Sequence, residues 1–305
     1  MADVMTARGT PTAEKHTLMR TATRASLATA ILLLIVKLVV WRVSGSVSLL
    51  ASVLDSAMDA LASGVNLLAV HHALVPADRE HRFGHGKLEP LAGLGQSLFI
   101  FASALSLCWN AVDRLRNPQP VQAGLAGIAV MVFAIVVTLI LVRYQRHVIA
   151  RTASTAVGAD SLHYASDVLM NAAVIVSLAA SSWLGWTIVD PLFGMVVAVL
   201  IGRGAWKIGH DSVQLLMDRE FPDDERRNIA AIVKQHPEVK GMHDLRTRHA
   251  GLQAFIQFHL ELDGEMSLVH AHQICDDVEA TLLQHFPGAE ILVHIDPGPD
   301  QTLTE

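Results

Sequence analysis

Charged residues are scarce in this chain. They make up 17% of its 305 residues, whereas hydrophobic residues make up 51%. Soluble domains usually carry about 25% charged residues, so this composition argues against a purely soluble protein. The sequence therefore indicates a membrane protein that also has a soluble part.

Cysteine is almost absent as well. Cys108 and Cys275 are the only two, which gives neither a disulfide framework nor a CxxC metal motif. We interpret both as packing residues, since a free cysteine behaves as a small hydrophobic residue. A cleavable signal peptide is not recognisable either, because the first 24 residues are polar and further apolar runs follow the first one. We expect the apolar runs themselves to direct insertion into the membrane.

Six apolar stretches are long enough to cross about 30 Å of hydrocarbon, which takes about 20 helical residues. They are Leu27–Val43, Val47–Val70, Leu91–Val112, Leu125–Leu141, Ser154–Leu184 and Ile188–Ile208. The fifth has the weakest hydropathy, because its first half carries Asp160, His163 and Asp167. The sequence thus predicts a polytopic α-helical membrane domain with six transmembrane helices.

Lysine and arginine are distributed unevenly between the two sides of these spans. They cluster before the first span, between the second and third, and between the fourth and fifth, whereas the opposite side has only Arg42, Arg114 and Arg116. By the positive-inside rule, both termini are predicted to be cytoplasmic. Lys37 lies within the first span, and we expect its side chain to snorkel toward the outer interface, with a functional role as the alternative.

Two pairs of polar residues interrupt the spans. Asp55 and Asp59 lie in the second span, and His163 and Asp167 in the fifth. Each pair is spaced i, i+4, which puts both side chains on one face of a helix. At a rise of about 1.5 Å per residue, Asp55 lies roughly 15 Å deep and His163 roughly 18 Å deep, so the pairs can meet.

Charged carboxylates at this depth need compensation, since each costs roughly 2.5 to 3.5 kcal/mol in the bilayer. A bound divalent cation supplies it. Three carboxylates and one imidazole suit tetrahedral Zn²⁺, and such a set also accepts Fe²⁺, Co²⁺, Mn²⁺ or Cd²⁺. The alternative interpretation is that these groups bridge helices by hydrogen bonds or relay protons without a metal.

The composition changes after Asp218. Helical periodicity in DDERRNIAAIVKQHP is followed by alternation in GMHDLRTRHAGLQAFIQFHLEL, a second amphipathic helix and the short strand EILVHIDP. The order αββαβ predicts a small two-layer α+β domain of the ferredoxin-like or metallochaperone-like kind. We therefore expect an N-terminal tail (1–24), a transmembrane domain (25–215), a cytoplasmic domain (216–298) and a second tail (299–305).

Two further clusters have ligand chemistry. In the loop PADREHRFGHGK, Asp78, His81 and His85 converge beside two glycines, and Glu80 would either substitute for one of them or interfere. An ordinary polar loop is the alternative.

In the soluble part, His294 and Asp296 alternate along the last strand and so share one face. With His243 and His259 nearby, this arrangement suits a carboxylate that bridges two metal ions. His236, His249 and His285 are interpreted as packing or solvent-exposed residues.

These motifs closely resemble the cation diffusion facilitator family, in its bacterial zinc and ferrous-iron efflux branch. The resemblance extends from about Ser26 to Pro297 and is carried by GSVSLLASVLDSAMD, PADREHRFGHGKLEPLA, ADSLHYASD, LLMDRE, HDLRTR and HIDP. It implies a homodimeric secondary transporter of the bacterial inner membrane, which exchanges a divalent metal for protons by alternating access and is not an enzyme. The metal leaves the cytoplasm, and no nucleic acid is involved.

The resemblance also implies residue roles. The transport site is implied to be Asp55, Asp59, His163 and Asp167; the loop site Asp78, His81 and His85; and the binuclear cytoplasmic site His243, His259, His272, His294 and Asp296. Lys87 and Asp218 are implied to form a charge interlock at the dimer centre. Zn²⁺ is implied as both the transported substrate and a regulatory ligand, with Fe²⁺, Cd²⁺ and Co²⁺ as further substrates, and His163 favours zinc over manganese.

Two other functions fit parts of the sequence. An intramembrane metalloenzyme would need an open metal position and a general base, but four protein ligands would close this site and no HExxH motif is present. A metal sensor would need an output module, and none follows the soluble domain in this sequence.

Overall fold

The computed structural model describes residues 12–44, 47–117, 125–184 and 189–298. The chain divides into two compact units, residues 1–76 with 87–213 and residues 77–86 with 214–305. The long helices are α1 (Thr12–Ser44), α2 (Val47–Ala73), α3 (Leu88–Arg116), α4 (Leu125–Thr152), α5 (Thr155–Leu184) and α6 (Val189–Leu216). They form the first unit, apart from the last residues of α6.

Each of these six helices contains a segment long and apolar enough to cross a membrane. Large apolar side chains lie exposed on the outer faces of the helices, among them Leu61, Ile140 and Trp206. In water such exposure would be costly, whereas in a bilayer these side chains lie in hydrocarbon. The six predicted spans are therefore confirmed.

The first helix is longer than the sequence suggested. We expected a loose tail over residues 1–24, but α1 begins at Thr12, and residues 1–11 lie outside the described part of the chain. The extension is held because Met19 and Ala22 are fully buried and because Arg151 donates to Glu14 at 2.9 Å. Tertiary contacts thus keep a polar segment helical. The predicted tail 299–305 also lies outside the described residues.

Small residues let α3 pack closely on α6. A Cβ atom added to Gly209 would lie 2.9 Å from the Ser97 hydroxyl, and one added to Gly93 would lie 3.0 Å from the Ser212 hydroxyl. Ile100 of α3 packs in the same cluster as residues of α6. Close helix approach through small residues is typical of membrane bundles.

The start of α5 is fixed by a carboxylate from another helix. Glu89, in the first turn of α3, is almost fully buried and accepts the backbone N–H of Thr155 at 3.0 Å. It also accepts hydrogen bonds from the Ser154 hydroxyl and the Ala156 backbone. These N–H groups have no partner within their own helix. Glu89 therefore anchors α5, the helix that carries His163 and Asp167.

A buried polar network joins the helices at the depth of Asp160. The Asp160 carboxylate accepts from Gln145 Nε2 at 2.7 Å and from Gln96 Nε2 at 3.2 Å, and it is hydrogen-bonded to the Ser26 hydroxyl. Tyr164 donates to the Ser26 carbonyl at 3.1 Å. Helices α1, α3, α4 and α5 are thus joined three residues from His163.

The second unit contains two helices and a three-stranded sheet. Its elements are α7 (Asp223–Val233), β1 (Gly241–Ala250), β2 (Gln253–Leu262), α8 (Leu268–His285) and β3 (Glu290–Pro297). The sheet order is β1-β2-β3, with β1 antiparallel and β3 parallel to β2. The predicted order αββαβ is confirmed.

Alternation along the strands separates an apolar face from a polar one. On β2, Ile256, Phe258 and Leu260 are buried with Ile229 of α7 and Ile274 of α8. The intervening residues of β2, which include His259, are only half-buried. Because successive side chains point to opposite faces, the helices cover one face and leave the other open to ligands.

The loop of residues 77–86 belongs to this second unit. Phe83 lies edge-on to Phe255, with ring centroids 5.9 Å apart, and the Arg248 guanidinium lies over both rings. Gly86 and Gly251 approach so closely that a Cβ atom on Gly251, which has φ +61°, would lie 3.0 Å from the Gly86 backbone. The loop is therefore held against the sheet domain.

We expect Glu89→Ala to lower the thermal unfolding midpoint of the detergent-solubilised protein. The loss should correspond to about 1–3 kcal/mol, since buried N–H groups of α5 lose their acceptor. Glu89→Gln keeps an acceptor oxygen and should lose less. The control is Glu14→Ala, which removes a half-exposed ion pair worth less than about 1 kcal/mol. Equal midpoints for Glu89→Ala and Glu14→Ala would contradict the anchoring role.

Candidate metal centres

Three polar side chains of the membrane unit come together between α2 and α5. His163 Nε2 lies 3.0 Å from Asp59 Oδ1 and 4.0 Å from Asp167 Oδ2. One ligand atom from each residue lies within 4.8 Å of the other two. Of the predicted quartet, the structure thus brings together Asp59, His163 and Asp167 as a possible cation site.

The surroundings of this trio are aromatic and tightly packed. His163 is buried, with an exposed fraction of 8%. The Phe99 ring of α3 lies edge-on to the imidazole at a centroid distance of 6.2 Å, and the Tyr164 ring lies at 5.5 Å. Tyr164 is itself held by the Ser63 hydroxyl at 2.8 Å. The imidazole orientation is therefore fixed from several sides.

Asp55 and Lys37 lie beside this trio. Asp55 is one turn before Asp59 on α2 and is exposed; it does not belong to the close group found among the described residues. Its ligand role stays a prediction. The Lys37 side chain is held against α2, since its Nζ donates to the Ser56 hydroxyl at 2.6 Å and to the Ser52 carbonyl at 3.4 Å.

Asp78, His81 and His85 lie close together in the loop that precedes α3. Asp78 Oδ1 lies 3.5 Å from His81 Nδ1, and Asp78 Oδ2 lies 3.4 Å from His85 Nε2. The backbone N–H groups of His81 and Glu80 donate to Asp78 Oδ1 at 2.7 and 2.9 Å. These bonds, that of His81 first, lower the pKa of the Asp78 carboxyl. Asp78 is therefore held ionised, as a cation ligand must be.

Glu80 contributes its backbone to this turn rather than a ligand. Its side chain is exposed and does not belong to the close group of Asp78, His81 and His85 in the described part of the chain. Whether Glu80 substitutes for one of these ligands or interferes with them stays a prediction.

Three histidines line up across the open face of the sheet in the second unit. His243 of β1 pairs with His259 of β2, which pairs with His294 of β3. Asp296 Oδ2 lies 2.8 Å from His259 Nδ1 and 3.2 Å from His243 Nε2, while its Oδ1 lies 3.3 Å from His294 Nε2. The carboxylate thus contacts all three imidazoles, with its two oxygens divided between them.

The electrostatics of this cluster favour cations. The hydrogen bond from His259, the largest contribution, and the charges of the neighbouring histidines lower the pKa of Asp296. Glu261 adds a second carboxylate, with its Oε1 at 2.9 Å from His243 Nδ1. His243, His259 and Asp296 present ligand atoms within 4.8 Å of one another. Imidazoles and carboxylates are ordinary zinc ligands, so these residues fit a bound divalent ion.

The remaining predicted site residues lie elsewhere. His272 is exposed on α8 and lies 3.8 Å from Asp276, outside the close histidine group of the described chain. Asp218 Oδ1 lies 3.3 Å from Arg248 Nη1, and Lys87 directly precedes α3. The roles of His272, Lys87 and Asp218 stay predictions.

Sequence reasoning missed several polar residues around these sites. Glu89, Gln96 and Gln145 were not singled out, and Asp160 was noted only as an interruption of the fifth span. Their positions in the sequence could have indicated them, because a polar side chain buried within an apolar span is costly unless it has a hydrogen-bond partner. Glu261 alternates with His259 along β2, so its position on the same face was also predictable.

The chain matches two described domains. Residues 23–217 match the cation efflux transmembrane domain, and residues 221–298 match the cytoplasmic domain of cation efflux proteins.

Curated relatives match over almost the whole length. The cation-efflux pump FieF of Shewanella oneidensis is 49% identical over 97% of this chain and 100% of its own length. FieF of Pectobacterium carotovorum is 50% identical over 92% of this chain and 93% of its own. Among solved structures, the metal-bound C-terminal domain of the CzcD transporter from Thermotoga maritima is 27% identical over 25% of this chain and 94% of its own, with a TM-score of 0.24.

The six membrane-crossing helices, the αββαβ unit and the match to both domains agree with the predicted family. The chain belongs to the cation diffusion facilitator family of cation efflux transporters.

Proposed function

We propose that this chain is a proton-coupled antiporter that exports Zn²⁺ from the cytoplasm by alternating access, with Fe²⁺, Cd²⁺ and Co²⁺ as further substrates. The observation that carries the proposal is the contact between Asp59 and His163 across α2 and α5, at 3.0 Å. It lies within two apolar spans, where charge is costly.

Metal and protons compete for the same atoms in this proposal. A hydrogen bond between Asp59 Oδ1 and His163 Nε2 requires a proton between those two atoms. A metal ligand must be deprotonated, so metal can bind there only as the proton leaves. Asp167 supplies a further oxygen, and Asp55 would supply the fourth ligand by moving into the site.

This competition supports exchange in opposite directions. On the cytoplasmic side, metal binding displaces the proton held between Asp59 and His163. On the outer side, protons compete for these ligands and release the metal. The returning empty site is then protonated, which lowers the cost of its charges in the membrane. Exchange requires two conformations, one that opens the site to the cytoplasm and one that opens it to the outside. Neither conformation needs to be strongly preferred.

Orientation and assembly complete the proposal. The Lys/Arg distribution favours cytoplasmic termini and a cytoplasmic second unit in the bacterial inner membrane. We infer a transport domain formed by the six helices and a regulatory domain of residues 216–298, joined in a homodimer. A regulatory Zn²⁺ would be held by His243, His259, His294 and Asp296, with the carboxylate shared between imidazoles.

We expect Asp59→Asn to abolish zinc uptake driven by a pH gradient in reconstituted vesicles. The amide cannot carry the charge that binds the metal, and it cannot take up the exchanged proton. The control is Asp263→Asn, which changes an exposed aspartate paired with Lys240 at 3.0 Å and should transport normally. Undiminished uptake by Asp59→Asn would refute the assignment of the site.

We expect His163→Asp to relax discrimination against Mn²⁺. An all-oxygen site loses the imidazole preference of Zn²⁺ and suits Mn²⁺ better. Competitive uptake of Zn²⁺ and Mn²⁺ in the same vesicles measures this ratio. An unchanged ratio in an active variant would show that the imidazole is not the selecting ligand.

We expect Asp296→Asn to weaken the dependence of transport on cytoplasmic metal, since the variant loses the carboxylate shared by three imidazoles. Because the pKa of Asp296 is lowered, its carboxylate stays ionised, and so able to bind a cation, at a lower pH than an ordinary aspartate. Transport rates at graded metal concentrations test this, with Asp277→Asn, on the exposed side of α8, as control. An identical metal dependence in Asp296→Asn would contradict the regulatory role.

A further inference from the structure

The ammonium of Lys37 lies between helices α1 and α2 of the membrane unit. Lys37 lies in α1, within the candidate span Ala13–Val43, and its ammonium donates to the Ser56 hydroxyl at 2.6 Å and to the Ser52 carbonyl at 3.4 Å. Both acceptors belong to α2, and Ser56 is almost fully buried next to Asp55 in the sequence. The ammonium is thus held beside the helix that carries Asp55 and Asp59.

The charge of Lys37 acts on the candidate transport site. Its Nζ contacts Ser56, which directly follows Asp55 and lies three residues before Asp59 on α2, so a unit positive charge lies close to this pair of carboxylates. Lys37 makes none of the close ligand contacts of the trio and has no lone pair to offer while charged. Its effect on a bound cation is therefore repulsive, whereas its effect on the carboxylates is attractive.

The charges of the site balance when Lys37 is included. Asp55, Asp59 and Asp167 carry three negative charges, which a divalent cation alone does not neutralise. One divalent cation together with one ammonium does. Uncompensated charge is costly in a bilayer. The conformational change between inward-open and outward-open states therefore costs less free energy when the metal-loaded site is neutral than when it is negative.

We propose that Lys37 is a resident counter-cation of the transport site, which lowers its affinity for divalent metal and so permits release. This inference rests on the proposed transport function and adds a residue that is not a ligand. The repulsion weakens binding in both access states. It also keeps the empty site less negative, because one charge remains compensated after the metal has left.

The test compares neutral and charged replacements at this position. In vesicles containing the full-length protein, Lys37→Met and Lys37→Gln should lower the KM for Zn²⁺ by roughly tenfold or more, since a unit charge at short range in a low-dielectric site is removed. They should also lower kcat, because release slows. Lys37→Gln keeps a donor for Ser56, and Lys37→Arg keeps the charge and should stay near wild type.

A control variant distinguishes the effect of removing Lys37 from the effect of removing any lysine of a membrane-spanning helix. Lys207→Met removes an exposed lysine of α6 and should leave KM and kcat unchanged. A higher or unchanged KM in both neutral variants would overturn the proposal, because a purely structural Lys37 predicts weaker binding on its removal.

Binding measured without flux keeps this inference distinct from the transport proposal. Asp78→Ala and Asp296→Ala weaken the other two candidate sites, and in protein that carries both, a change in equilibrium Cd²⁺ binding between Lys37 variants reports on the membrane site. Tighter binding in Lys37→Met and Lys37→Gln supports the counter-cation role even if wild-type vesicles show no flux, which would refute only the transport function. Unchanged or weaker Cd²⁺ binding in these variants would refute the role of Lys37.

Discussion

The contact between His163 and Asp59 is the interaction on which the rest of the membrane unit depends. A carboxylate and an imidazole within apolar spans must meet a partner, since each buried charge otherwise costs roughly 2.5–3.5 kcal/mol. Their 3.0 Å contact joins α2 to α5 and determines which face of each helix points inward. It also puts a proton where the proposed metal would bind, so structure and exchange chemistry depend on the same pair of atoms.

The remaining polar residues of the membrane unit support this pair. Glu89 anchors the first turn of α5, and Asp160 ties the same helix to α1, α3 and α4 through Ser26, Gln96 and Gln145. His163 is thus attached to a helix that is fixed at its start and again one turn before the imidazole. Asp160 is not one of the three close ligand residues found among the described residues, so its bonds can hold α5 while those residues exchange protons.

Much of the architecture was predictable from local pattern. Hydropathy predicted all six spans, and periodicity predicted the order αββαβ of the second unit. Both patterns depend only on residues that are close in sequence. The i, i+4 pairs and the H-x-D strand predicted which polar side chains share a face for the same reason. The start of α1, the direction of Lys37 and the acceptor role of Glu89 were not predictable, since each is decided by contacts between residues far apart in sequence.

Asp55 marks a further limit of sequence reasoning. Spacing puts it on the same helix face as Asp59, yet only Asp59 reaches His163 in this structure. Sequence pattern reports which residues share a face, but the distance across to the neighbouring helix depends on packing and on what occupies the site.

The central claim is that metal and proton exchange at Asp59 and His163, and proton release on metal binding tests it most directly. Calorimetric Zn²⁺ titration of full-length protein carrying Asp78→Ala and Asp296→Ala, in buffers of different ionisation enthalpy, counts the protons released. We expect Zn²⁺ binding to release protons and His163→Gln to reduce their number. Zn²⁺ binding at this site without proton release would contradict it.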